Sequence, residues 1–416
     1  MKAHVLGLAL LTISLPGLSA ADWPGWRGPQ THGISSERNL PLTWGPGTNL
    51  AWQVEPPGKG ASSPVIIGDR LYLTTQQDDD ALRVLAYDTA NGALRWNQSV
   101  GSGRVKTHDL INMATPTVAA NAQHLWAFFG TGLLVCLDTD GKTVWQRDLA
   151  KDHGALNTMW GTGTSPVLHD GKLLLAIMHQ GPSYVLAVDA ATGADLWKTP
   201  RDHGAKDEAK DSYSSPTLAT VDGRTQLIVS GGDHLDAYDP ATGERLWVIG
   251  GLEVPHPYGR TISSPTAAGD LVLTVASGFQ NRGHVMAVRA GGNTKEQLWT
   301  SSRYSPDCPS PVIYNGYAFT LRDDGNAQCL DLRTGEAHWQ ERLFSENVKV
   351  SPVAADGRIY FLSGRGNCVV VKADKTFELL ARNEFNEDTL AAPAIAHGRI
   401  YLRTSKALYA IGSRNQ

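Results

Sequence analysis

"DTANGALRW" (residues 88–96) recurs down the chain as "DAATGADLW", ending at Trp197, "DPATGERLW", ending at Trp247, and "DLRTGEAHW", ending at Trp339. A shortened copy, "DTDGKTVW", ends at Trp145, and a degraded one, "RAGGNTKEQLW", at Trp299. The fixed spacing describes a tight turn that enters a β-strand. The aspartate bonds turn N–H groups, and the glycine takes the positive φ that the turn needs. The tryptophan offers a large flat surface to the adjacent sheet.

Upstream of each motif lies a second repeated element: a small residue, proline, a short apolar run, a turn and another apolar run. "SPVIIGDRLYL" begins at Ser63, "SPVLHDGKLLLA" at Ser165, "SPVIYNGYAFTL" at Ser310 and "SPVAADGRIYFL" at Ser351. Ser215 and Ser264 open further copies, and variants begin at Thr115 and Ala392. Each reads as two strands joined by a tight turn, the proline opening the first strand where its missing N–H does least harm. A third apolar run and the tryptophan motif complete four strands, A to D. Eight such units at this period specify an all-β, eight-bladed propeller of four-stranded antiparallel blades. Eight A strands but only seven D strands follow in order. The missing D strand is upstream, in "NLAWQVE", so a strand carrying Trp52 is expected to complete the last blade and close the ring. Trp52, Trp96, Trp145, Trp197, Trp247, Trp299 and Trp339 then share one structural slot, which is core, and Leu380 is expected in the eighth.

The tryptophan-bearing repeat resembles the pyrroloquinoline-quinone (PQQ) repeat family, from Leu50 to the end of the chain. That family includes eight-bladed quinoprotein alcohol dehydrogenases and BamB, an outer-membrane protein assembly factor without redox activity. "DWPGWRGPQTHGIS", from Asp22, resembles the opening of exported PQQ-like propeller proteins. The repeat is specific for fold and poorly specific for function.

The ends of the chain bear on compartment. Lys2, the apolar run from Val5 to Leu15, and the small residues Ser19 and Ala21 read as a cleavable signal peptide over 1–21. A Trp- and Pro-rich segment over 22–49 is expected to wrap the outside or one end of the ring, with a single propeller domain over 50–416. The first cysteine is Cys136, so no lipidation cysteine follows the apolar run. The expectation is a periplasmic or secreted monomer with no transmembrane segment in the mature chain. A formal charge of −4 gives no electrostatic reason to expect a nucleic-acid partner.

In a propeller the D-to-A and B-to-C loops emerge on one face around the central channel, and here they are the long ones. Functional residues belong on such loops, positioned by a rigid ring. His108, His153, His203 and His256 fall on successive D-to-A loops, and His179, His234 and His284 on B-to-C loops. The favoured reading is residual similarity between duplicated blades on solvated loops. One alternative is a polar or anionic ligand site that also uses Arg104, Lys106, Arg201, Arg260 and Arg303. The other is a transition-metal site, for which His153, His203 and His256 are the candidates.

The quinoprotein resemblance implies PQQ with calcium held by carboxylate and amide oxygens, a base aspartate, and stacking between a tryptophan and a disulfide of adjacent cysteines. No adjacent cysteine pair occurs. Trp160 reads as the one tryptophan outside the repeat slot on the channel face, and Asp109, Asn112, Asp211, Asp307 and Asp388 as the loop oxygen donors. The acidic run at 78–80 reads as a solvated loop. Cys136 reads as a buried free thiol, and Cys308 with Cys368 as the least implausible disulfide. The functional expectation is a non-catalytic scaffold or binding module that presents its loop-rich face to a protein partner or a polar small ligand. The alternative is a PQQ- or metal-dependent oxidoreductase.

Overall fold

The computed structural model describes residues 22–278, 282–292, 294–303 and 305–413; the expected signal peptide lies outside them. It contains eight four-stranded sheets. In the first, Val65–Ile67, Arg70–Gln76, Ala81–Asp88 and Leu94–Ser102 pair in sequence order as strands A to D. The A strands of successive blades meet at the axis. The eighth blade takes its D strand from Leu50–Val54, which pairs antiparallel with the last strand, Leu408–Ile411, placing Trp52 opposite Ala410. The latch expected from strand counting is therefore present.

Two belts of contacts join the blades. In the outer belt, each slot tryptophan lies over the C-to-D turn of the next blade. A Cβ added at Gly92, Gly141, Gly193, Gly243 or Gly335 would sit 2.5–2.8 Å from the ring of Trp52, Trp96, Trp145, Trp197 or Trp299. The turn glycine is thus required by the neighbour's indole as well as by its own φ. The indole N–H groups of these five and of Trp339 donate to main-chain oxygens of the next blade at 2.8–3.2 Å. Trp247 faces the degraded turn of blade 5 and donates instead to Gln226 Oε1, whose amide donates onward to Gly291 O and Gly292 O. Trp339 meets a turn without glycine and packs on Phe377, ring centroids 5.2 Å apart.

The inner belt is a chain of hydroxyls at the A-strand entries. Ser63 N–H donates to Thr117 Oγ1, Thr117 to Ser165, Ser165 to Ser215, Ser215 to Ser264, Ser264 to Ser310 and Ser310 to Ser351, at 2.8–3.0 Å. Ala392 has no hydroxyl, and the chain stops at blade 8. There the buried Arg403 crosses the seam to Ser62 Oγ and Thr74 O, both at 2.8 Å.

Two register expectations are corrected. In blade 2, Ala119 pairs with Trp126 as Val65 pairs with Tyr72. Thr117, not Thr115, therefore takes the serine position, and its hydroxyl joins the inner chain. In blade 7, Val370 pairs with Ala381 and the strand bulges past Leu380. Ala381, not Leu380, therefore occupies the tryptophan register.

The segment over 22–49 crosses one end of the ring, on the side of the A-to-B turns. Trp23 bridges to Ile66 of blade 1, Ala120 N–H donates to Pro24 O, and His32 Nε2 lies 2.7 Å from Leu218 O. The buried Arg27 donates to Ser310 O, and Glu37 accepts from His397 and Gly398 N–H. Burial lowers the Arg27 pKa to about 9. All four cysteines are free thiols. No helix among the described residues is long and apolar enough to cross a membrane.

The tryptophan-on-glycine contact gives a paired test. Gly243 has φ +74 with Trp197 against it, whereas Gly223 has φ +76 and nothing within 4 Å. Gly223→Ala should lose only the backbone strain, about 1 kcal/mol. Gly243→Ala should lose about 2–4 kcal/mol, because strain and overpacking add. Urea unfolding of both variants measures the difference, and equal losses would remove the indole from the account.

Candidate functional site

The loop-rich face opens into a cavity of about 760 Å³ on the ring axis. Its base is Trp26, from the crossing segment, whose indole N–H donates to Ser264 Oγ at 3.1 Å. Trp160 is thus joined by a second tryptophan outside the repeat slot, one that looked peripheral in the sequence. The rim is apolar: Leu110 is 55% and Tyr258 47% exposed, and both line the cavity.

The wall over blades 4 to 7 carries a continuous line of charges. Arg260 lies between Glu208, with Nε 3.3 Å from Oε1, and Asp307, with a terminal nitrogen 2.9 Å from Oδ2. Lys349 pairs with Asp323 and lies 3.8 Å from Asp307. Asp323 also accepts the backbone N–H groups of Asp307 and Cys308. Burial raises the pKa of Glu208 and of Asp307 against the pull of Arg260, and it pushes the Cys308 thiol up. Tyr213 OH donates to Glu208 at 3.2 Å.

Of the residues expected from sequence, His108, Asp109, Trp160, Arg260 and Asp307 are brought together on this cavity. His108 meets the Trp160 ring edge-on, and its backbone N–H donates to Trp160 O. Lys106 lies 5.1 Å over the same indole. The others sit elsewhere. Arg201 is fully buried in blade 4, its Nε 2.8 Å from Asp236. His203 pairs with the same carboxylate and stacks on His234. His153 is 3.1 Å from Asp195, against Tyr184, and burial lowers its pKa. His256 lines a separate groove with Lys206 and Asp233.

Arg104 pairs with Asp80 on the acidic loop. Asn112 is committed to Lys59 O and Ala114 N–H. Asp211 is buried, accepting from Met159 N–H and Gln180, and burial raises its pKa. Arg303 offers its carbonyl to Arg322. Asp388 is exposed and pairs with Arg365.

The donor set does not suit a calcium–quinone centre. Calcium needs several uncommitted oxygens on one ion. Here Glu208 and Asp307 are held by Arg260, and Asp323 by Lys349. Among the described residues the cluster of metal-ligand type is Asp307, Cys308 and Asp323, with the Lys349 ammonium against it. His153, His203 and His256 are not part of it. Glu208, Tyr213, Asp323 and Lys349 were not singled out by the sequence. Tyr213 and Lys349 each lie two residues before a Ser-Pro repeat, at Ser215 and Ser351, and that loop position alone marked them as neighbours of the axis.

Eight four-stranded sheets, a tryptophan slot and an axial cavity walled by D-to-A loops define the class: a PQQ-like eight-bladed β-propeller. A family model described as outer membrane protein assembly factor BamB matches residues 45–206 and 181–415, and the chain belongs to that family. It is 24% identical to BamB of Yersinia pestis over 304 residues, 70% of each protein. It is 29% identical to a polyvinylalcohol dehydrogenase of Sphingopyxis sp. (strain 113P3) over 379 residues. That match covers 82% of this chain but 54% of the dehydrogenase, so the chain spans about half of that relative. Among solved structures, BamB from Moraxella catarrhalis superposes with a TM-score of 0.62 at 13% identity, covering 88% of this chain and 98% of that one. The quinohemoprotein alcohol dehydrogenase from Comamonas testosteroni gives 0.59 at 13% identity, covering 96% and 82%. These likenesses show the fold.

Removing Arg260 takes its cation from the buried Glu208 and the partly buried Asp307. Arg260→Met should cost about 2–4 kcal/mol near neutral pH. A raised carboxylate pKa favours the protonated form in the fold, so the loss should shrink as pH falls and Glu208 and Asp307 take up protons. Urea unfolding at about pH 7.5 and about pH 5 compares the two, and a loss that grows on acidification would contradict the assignment.

Proposed function

We propose that this protein is an exported, monomeric, non-catalytic propeller that binds a protein partner or a polar ligand at its loop-rich face. One observation carries the reading: every buried acid of the cavity wall is already paired with a cation of the chain, leaving no open ligand set for calcium. The shared coverage with BamB supports a scaffold of that kind. The polyvinylalcohol dehydrogenase of Sphingopyxis matches over 54% of its length, and a dehydrogenase activity stands as the alternative reading. Binding through the cavity accounts for the apolar rim, because exposed aromatic and aliphatic side chains around a concave polar site are characteristic of recognition surfaces.

The test is ligand-linked stability together with turnover. A cofactor present at about 100 times its Kd would add about 2.7 kcal/mol and raise Tm by several degrees. PQQ with calcium should leave Tm within about 1 °C of the unliganded value. Dye-linked oxidation of primary and secondary alcohols should stay at background. A saturable PQQ-dependent rise in Tm, with alcohol oxidation, would replace this reading with the oxidoreductase.

A further inference from the structure

The ligand class suited to the cavity follows from what its polar groups still have to offer. The six acceptors of the inner belt, Thr117, Ser165, Ser215, Ser264, Ser310 and Ser351, all line the cavity. Each oxygen is occupied by a backbone N–H from the neighbouring blade. A hydroxyl in that role keeps its own proton to donate. The base of the cavity is therefore an arc of six O–H donors over blades 2 to 7, fixed in place by the same bonds that hold the ring, beside the ring of Trp26.

The wall adds three constraints. Its cations are compensated: Arg260 by Glu208 and Asp307, Lys349 by Asp323. A strongly anionic ligand finds no uncompensated cation on that wall, and among the described residues the exposed Asp109 is the lining acid outside these pairs. Acceptors nevertheless remain, since Asp307 Oδ1 is buried with no hydrogen-bond partner. Flat aromatic surface is supplied by Trp26, Trp160, Tyr213 and Tyr258. An apolar ligand would strand the hydroxyls and carboxylates at about 1–3 kcal/mol each. An inorganic anion would compete with bonds that the cations already make. A molecule that alternates hydroxyl donors and acceptors around a ring with apolar C–H faces satisfies all three constraints.

We propose that the axial cavity binds a neutral oligosaccharide, one sugar seated on the hydroxyl arc with its hydroxyls shared with the Glu208–Arg260–Asp307 group and its C–H faces against the aromatic rings. The cavity volume lies within the ~300–1,000 Å³ usual for small-molecule sites. The proposal rests on the binding reading above and names its ligand.

The experiment titrates the intact protein, by calorimetry and saturation-transfer NMR, with cellotriose, maltotriose, xylotriose, mannotriose and chitotriose. Trigalacturonate serves as the charged control and decanoate as the apolar one. At least one neutral trisaccharide should bind with a Kd of about 1 mM or tighter. Ser310→Ala removes a floor donor and Tyr258→Ala an aromatic face, and each should weaken binding about tenfold. Tyr258 and Asp109 are exposed, so Tyr258→Ala and Asp109→Ala report on binding even where the floor variant fails to fold. Three results overturn the proposal: no binding by any neutral sugar, binding by a control alone, or binding indifferent to all three variants. Oxidation of a bound sugar with PQQ and calcium would uphold the ligand class and sink the non-catalytic reading. Absence of binding without oxidation would sink the ligand class and leave that reading standing.

Discussion

The structure depends on one contact repeated around a circle: the indole of one blade laid on the turn glycine of the next. An angular step between sheets has to be set at the wide end of the wedge, where a large rigid ring fills the space and its N–H fixes the distance. At the narrow end the spacing is set by a single hydroxyl accepting a single backbone N–H. Neither contact is worth much alone, about 1 kcal/mol for a hydrogen bond. Repeated at successive joints, they give eight small sheets one geometry. Where a joint departs from the pattern, another group fills the gap: Gln226 relays between Trp247 and the glycine turn of blade 5, and Arg403 spans the seam where Ala392 has no hydroxyl.

The sites where the chain departs from its own repeat show what sequence reasoning reaches. The aspartate–glycine–tryptophan period and the Ser-Pro entries established blade number, strand order and the latch, because each follows from local turn chemistry plus counting. The slips at Thr115 and Leu380 arose where a displaced proline or a C-to-D turn one residue longer shifted the register by one or two residues, which hydrogen-bond pairing decides and composition does not. The candidate site was half legible. Loop position marked His108, Asp109, Trp160, Arg260 and Asp307. Arg201 and His203 belong to similar loops, yet they turn into blade 4 to pair with Asp236. Glu208, Lys349 and Asp323 come from three loops with no common period, and their meeting on Arg260 and Asp307 exists only in three dimensions.

A buried line of alternating charge separates this channel from one built around an ion. Burial disfavours Glu208 and Asp307 as carboxylates, and Arg260 between them offsets part of that. The wall supplies its own counter-ions and leaves hydroxyls, aromatic faces and one buried carboxylate oxygen directed to recognition. Fold kinship extends both to BamB and to quinohemoprotein dehydrogenases, so the distinction lies in these side chains and not in the ring that carries them.

The crossing segment over 22–49 and the strand that follows it also govern how the molecule is made. The stretch that floors the chamber touches blades 1, 2, 4, 5, 6, 7 and 8, and the strand after it pairs with the last strand of the chain. Residues synthesised first must wait for those synthesised last, a long-range closure that slows folding. The vessel has its full base and its final rivet only once the last blade is in place. Its chamber is consequently absent from any partly assembled array of blades, and whatever enters the finished one leaves by the way it came.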